Sequence, residues 1–186
     1  MATPPSGMGL PWLVGDIGGT NARLGWVTRA GGPVEQVRTL PVAAHATPAD
    51  AVRAYLAGLG PEAGTPRRAA LAVATAVGAD EVVLTNSAWR FSCRELQASL
   101  GLERLLVLND FEALALSLPR LNAAQLRPIG AALPQADGTL AVIGPGTGLG
   151  VAGVTRCRQG WLALPGEGGH ADRKSTRLNS SHSQQS

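Results

Sequence analysis

Two glycine-broken hairpins constrain this chain more than any other feature. The first is D-I-G-G-T-N-A-R, Asp16–Arg23, set between an apolar run over Leu10–Gly15 and a β-compatible run over Ala22–Thr28. The second is G-P-G-T-G-L-G, Gly144–Gly150, flanked by Leu140–Ile143 and Gly150–Thr155. Each reads as strand, tight turn, strand. Adjacent glycines let backbone amides approach the oxygens of a polyphosphate, and Thr20 and Asn21 add side-chain donors. Asp16 offers an oxygen suited to magnesium or its waters. A plain hairpin with a Gly-Gly turn accounts for the first motif equally well on its own. No G-K-[ST] follows the first motif, so it is not a P-loop. A strand rather than a helix comes next, so it is not a dinucleotide fingerprint.

Between the hairpins the pattern alternates helix and strand. Val34–Leu40 suits a third strand. Thr47-Pro48-Ala49-Asp50 opens a helix with Thr47 as N-cap, Pro48 in the first turn and Asp50 behind it, ending near Leu59-Gly60. Ala69–Thr75 is a continuous apolar run of strand length, as a buried central strand requires. Ser92 opens a second helix with Glu95 in capping-box spacing, ending near Leu100-Gly101. Leu105–Leu108 is a short strand that delivers Asn109 and Asp110 at its C-terminal end. A helix from Phe111 to about Leu118 follows and is stopped by Pro119. The class is α/β, with an opening hairpin before helices and strands alternate.

Two further clusters carry chemistry. In L-N-D-F, Leu108–Phe111, a carboxylate stands at the end of a buried strand, where open α/β sheets place ligands. It can accept the proton of a sugar hydroxyl during phosphoryl transfer, and Asn109 can both donate and accept. Asp110 can equally serve as a cap for the helix after it. In L-P-G-E-G-G-H, Leu164–His170, Glu167 and His170 sit among glycines that can fold around a small polar ligand. No further His or Cys at ligand spacing suggests a zinc site there.

Composition excludes several alternatives. The chain is 45% hydrophobic and 16% charged, as in globular proteins, and no run approaches the roughly 20 apolar residues of a membrane helix. No positive segment precedes an apolar stretch at the N-terminus, so a cytoplasmic location without a secretory leader is expected. Cys93 and Cys157 suggest ordinary reduced thiols. The pI near 9.5 points toward nucleic acid only until the charge is located. Arg173, Lys174 and Arg177 against Asp172 account for +2 of the net +3, so the body carries +1 and offers no basic patch. The segment 172–186 also departs in composition, holding the only lysine of the chain and five of its ten serines. Its codons, written out under D-R-K-S-T-R-L-N-S-S-H, resemble a sequencing-library adapter. The tail is therefore expected to be foreign and without fold.

Taken in order, these motifs resemble the bacterial glucokinase family, over roughly Leu13 to Ala171. D-I-G-G-T-N-A-R and G-P-G-T-G-L-G are similar to its two phosphate motifs, and V-L-T-N-S-A-W-R-F-S (Val83–Ser92) to its connecting segment. L-N-D-F is similar to its catalytic stretch and L-P-G-E-G-G-H to its sugar loop. The resemblance implies two ribonuclease-H-like lobes of the hexokinase/actin type. Residues 1–118 would form the small lobe, 119–171 the start of the large lobe, and 172–186 the foreign tail. It implies ATP-dependent phosphorylation of glucose, with Asp110 as general base and Asn109, Asp110, Glu167 and His170 on the sugar. Gly18, Gly19, Thr20, Asn21, Gly146, Thr147 and Gly148 would surround the ATP phosphates. Asp16 would lie near Mg2+, directly or through water. The partner is glucose rather than nucleic acid or membrane, and the whole protein could pair as a homodimer. One departure is A-T-A-V-G, Ala74–Gly78, where the family often has a proline. The adenosine-binding segment expected after His170 is also missing, so the chain alone is expected to be inactive. The alternatives are a kinase of another hexose or a non-catalytic sugar-sensing regulator in the related sugar kinase/repressor family. With the first phosphate motif beginning at Asp16, the helix-turn-helix such repressors carry is not expected.

Overall fold

The structure is a computed structural model that describes residues 9–85, 87–130, 137–145 and 149–166. The chain divides into two compact units, one ending at Asp110 and the other beginning at Phe111.

The first unit is built on a five-stranded mixed sheet of order β3-β2-β1-β4-β7. Strands β1 (Trp12–Ile17), β2 (Asn21–Val27) and β3 (Glu35–Pro41) form its antiparallel arm. Strands β4 (Arg68–Val73) and β7 (Arg104–Asn109) add on in parallel to β1. A small hairpin, β5 (Glu81–Val83) with β6 (Arg90–Ser92), stands apart from this sheet. Parallel neighbours need a crossover, and two helices supply it: α1 (Pro48–Leu59) before β4 and α2 (Cys93–Ser99) before β7.

Helix α1 starts where the expected Thr47 cap places it. The Thr47 hydroxyl accepts from the Asp50 amide at 3.1 Å and donates to the Asp50 carboxylate at 2.7 Å. Ala51, Val52 and Tyr55 present one helical face and are essentially fully buried. They pack with Leu13 and Ile17 of β1, Leu24 and Trp26 of β2, and Leu71 and Val73 of β4. The Tyr55 hydroxyl, at the edge of this core, donates to the Gln36 carbonyl at 3.1 Å. The alternation of β4 settles its face: Ala69, Leu71 and Val73 are buried, and the residues between them are partly exposed. Val82, Leu84 and Trp89 extend the core under the small hairpin. There the Trp89 indole donates to the His45 carbonyl at 3.0 Å.

In the second unit, a three-stranded antiparallel sheet of order β10-β9-β8 joins β8 (Leu140–Pro145), β9 (Leu149–Cys157) and β10 (Gly160–Gly166). Strand β10 was not expected, because Leu164-Pro165-Gly166 reads as the start of a glycine loop. The strand lies at the sheet edge, where a proline costs the ladder little. Helix α3 (Asp110–Ser117) begins one residue earlier than its apolar pattern indicated. Its Ala115 is buried with Ala152 and Val154 of β9, and Phe111 and Leu116 pack around them. No helix among the described residues is long and apolar enough to cross a membrane.

Replacing Thr47 with Ala removes the α1 cap and should lower unfolding stability by about 1 kcal/mol, whereas Thr47→Ser should stay close to wild type. Denaturant melts of the two variants measure the difference.

Candidate functional site

The parallel ladder decides which residues can act together. Its register sets Ile17 opposite Val73 and Val73 opposite Asn109, so β1, β4 and β7 end abreast. Two strand spacings, about 10 Å in all, therefore separate the end of β1 from the end of β7. Immediately beyond these ends come Gly18-Gly19-Thr20, Ala74-Thr75 and Asp110. The first glycine turn and Asp110 thus follow strand ends on one rim of the sheet.

Hydrogen bonds hold each piece of that rim. The Gly18 amide donates to the Asn21 carbonyl at 2.9 Å, closing the turn, and the Val42 amide donates to the Thr20 carbonyl at 2.9 Å. The Ala74 amide donates to the Ile17 carbonyl at 3.2 Å, carrying the β1–β4 ladder past the strand end. The Asn109 side-chain amide donates to the Thr75 carbonyl at 3.1 Å, which ties β7 to the segment leaving β4 and fixes the plane of the side chain. Asp110 is partly buried and is the first residue of α3, so strand and helix both locate its carboxylate. Asp16 lies opposite Arg23 in the hairpin, and their side chains form an ion pair at 3.7 Å. Both are more than half exposed, so the pair adds little stability. Beside them a shallow, mostly apolar hollow is lined by Val14, Gly25, Val34 and Val37.

A single exposed carboxylate such as Asp16 fits a magnesium ion that keeps its waters and shares phosphate oxygens; it does not make a protein cage. Among the described residues no group of three His, Cys, Asp or Glu converges as a complete metal site would need.

Sequence reasoning overlooked Asp80. The Ser92 hydroxyl donates to its carboxylate at 2.6 Å, and the Arg94 amide donates to it at 3.1 Å. The Cys93 amide donates to the Asp80 carbonyl at 2.8 Å. Ser92 caps α2 as expected, accepting from the Glu95 amide at 3.1 Å, and Asp80 takes up the neighbouring amides. The segment between Thr75 and Asp80 is therefore fastened at both ends, to Asn109 and to the start of α2. The Ser92 hydroxyl, chiefly, with help from Arg94, holds the Asp80 carboxyl below its ordinary range. Burial, reinforced by the Asp80 charge, pushes the Cys93 thiol up, which suits a packing role rather than a nucleophilic one.

Of the remaining candidates, Gly146, Thr147, Gly148, Glu167 and His170 lie outside the described residues. Their flanks are described: Gly144 pairs with Gly150 where β8 and β9 meet the turn, and β10 runs to Gly166.

A mixed sheet with a glycine turn in its antiparallel arm, and a carboxylate at the end of its outer parallel strand, places the chain with sugar kinases of the actin/hexokinase-type fold. A glucokinase structure from an Antarctic psychrotroph superposes with a TM-score of 0.78 at 39% identity, over 86% of this chain and 51% of that one. A ROK family glucokinase from Streptomyces griseus, solved with glucose and AMPPNP, shares the fold with a TM-score of 0.56 at 24% identity, over 80% of this chain and 47% of that one. The Aromatoleum aromaticum glucokinase is 51% identical over 160 residues, 86% of this chain and 48% of that protein. The glucokinase family model matches residues 13–181, and the chain belongs to that family. It spans about half the length of the curated relatives it matches.

The Asp80 latch has a pH signature. Its folded pKa is depressed below the ordinary 3.8, so its contribution is present above that value and is lost as pH falls through it. Asp80→Asn should be less stable than wild type at neutral pH, with the gap closing below about pH 4. Paired denaturation curves across that range test the sign.

Proposed function

We propose that this chain is the N-terminal part of an enzyme that transfers the γ-phosphoryl group of ATP to the 6-hydroxyl of glucose. The observation that carries this is the shared rim of β1 and β7, with a glycine turn on one and Asp110 on the other. Family membership supports it, as does the glucose and AMPPNP complex of the Streptomyces griseus relative.

The chemistry follows from what each group can do. A sugar hydroxyl does not ionise near neutrality, so a carboxylate must accept its proton as the oxygen attacks phosphorus; Asp110 takes that role. Asn109, held by the Thr75 carbonyl, orients sugar hydroxyls beside it. Gly18, Gly19, Thr20 and Asn21 receive phosphate oxygens on backbone and side-chain donors. On the strength of the sequence pattern, Gly146, Thr147 and Gly148 do the same from the second hairpin. Asp16 would hold Mg2+, directly or through water, and the ion would supply charge neutralisation to the phosphates. Glu167 and His170 complete the sugar contacts. The adenosine site and the rest of the second lobe belong to the remaining length seen in relatives. The whole protein is placed in the cytoplasm, with a homodimer as a form open to it.

In the full-length protein, Asp110→Asn should cut kcat by roughly 100- to 10,000-fold while glucose KM changes far less. A coupled ADP-release assay reads both, and a variant as fast as wild type would remove Asp110 from the mechanism. The 186-residue chain should release no ADP with glucose and Mg-ATP, and turnover by it would show that the site is complete without further residues.

A further inference from the structure

The fourth residue of L-N-D-F has no role in the chemistry above, yet its side chain occupies a specific place. Register sets Gly144 directly opposite Gly150, two residues from the Val142–Ala152 pair, so both glycines lie on the sheet face that α3 covers. The Phe111 ring lies on that pair. A Cβ added at Gly144 would sit 2.8 Å from Phe111 Cζ, and one added at Gly150 would run into the ring itself. No side chain fits at either position while Phe111 keeps its place. One helical turn further on, Ala115 sits against Ala152 and Val154 of the same face. Phe111 over the two glycines and Ala115 with Ala152 and Val154 thus bring α3 to this face at two points one turn apart.

These glycines are the base of the second hairpin turn, and Phe111 is joined by a peptide bond to Asp110. We propose that Phe111 is a positioning residue that couples the phosphate-binding hairpin to the general base. Its ring, seated on Gly144 and Gly150, holds the two strand ends that carry that turn. This rests on the assignment above of the Gly144–Gly150 turn to phosphate and of Asp110 to the base. It accounts for two glycines at positions whose backbone conformation does not demand them: both lie within regular strands, and neither has a positive φ.

The test uses the full-length protein, with steady-state kinetics in glucose and in Mg-ATP. Phe111→Leu should raise the nucleotide KM or lower kcat by roughly 10- to 100-fold, with glucose KM held within about twofold. Phe111→Tyr, which keeps the ring, should stay near wild type. Gly150→Ala strains the same contact from the sheet side and should show the same kinetic split. In the double variant the smaller side chain makes room for the methyl group, so the losses should be less than additive. Melting temperatures identify any variant that fails to fold, and the other single variant then carries the test. Nucleotide KM and kcat within about twofold of wild type in a folded single variant would overturn the proposal, even with a lowered melting temperature. A wild-type enzyme with no glucose-dependent ADP release would instead sink the functional assignment, and this proposal with it.

Discussion

The in-register parallel ladder of β1, β4 and β7 is the constraint on which the rest of the site depends. Because Ile17, Val73 and Asn109 stand side by side, every residue that follows a strand end is delivered to one rim. Parallel strands leave no choice about this, since their chain directions agree and their exits must face the same way. A slip of one residue in β7 would send Leu71 and Val107 to opposite faces and carry Asp110 away from the glycine turn. The register is held by burial: Leu13, Ile17, Leu71 and Val73 fill a core against α1, and none of them tolerates the solvent side.

Fastening of the rim is distributed over short polar links rather than one dominant bond. The Asn109–Thr75 contact and the Asp80 carboxylate on Ser92 and Arg94 each fix a loop to an element of regular structure, and the Trp89–His45 contact ties two loops together. Each net hydrogen bond contributes about 1 kcal/mol, too little to fold the unit but enough to narrow where a side chain points. Rigid support of this kind suits phosphoryl transfer, whose catalysis consists largely of positioning and charge stabilisation.

Much of this was legible in the sequence where local physics decides it. Thr47-Pro48-Asp50 located the start of α1, because an N-cap, a proline without a donor and an acidic first turn all act within four residues. Asn109-Asp110 was legible as a strand exit for the same reason. What stayed hidden was non-local. Strands β5 and β6 have three residues each, too short to show a period. Asp80 completes the α2 cap from twelve residues before Ser92, and no capping-box spacing encodes that. Arg23 meets Asp16 only once the hairpin register is known. The role of Gly144 and Gly150 as a seat for an aromatic ring becomes visible only with α3 in place, because a glycine in a turn motif is otherwise explained by the turn. Glu167 and His170, the sugar contacts proposed above, lie outside the described residues.

The central claim is that the rim formed by the ends of β1, β4 and β7 receives the ligands. Backbone amide NMR of the full-length protein tests it most directly, recorded as glucose and then a non-hydrolysable magnesium–ATP analogue are added. The account predicts that glucose shifts the resonances of Asn109 and Asp110, and that the nucleotide shifts Gly18, Gly19 and Thr20. Arg68 and Arg104, at the opposite ends of β4 and β7, should stay unmoved. Shifts centred on Arg68 and Arg104, with the glycine turn and Asp110 unaffected by either ligand, would contradict it.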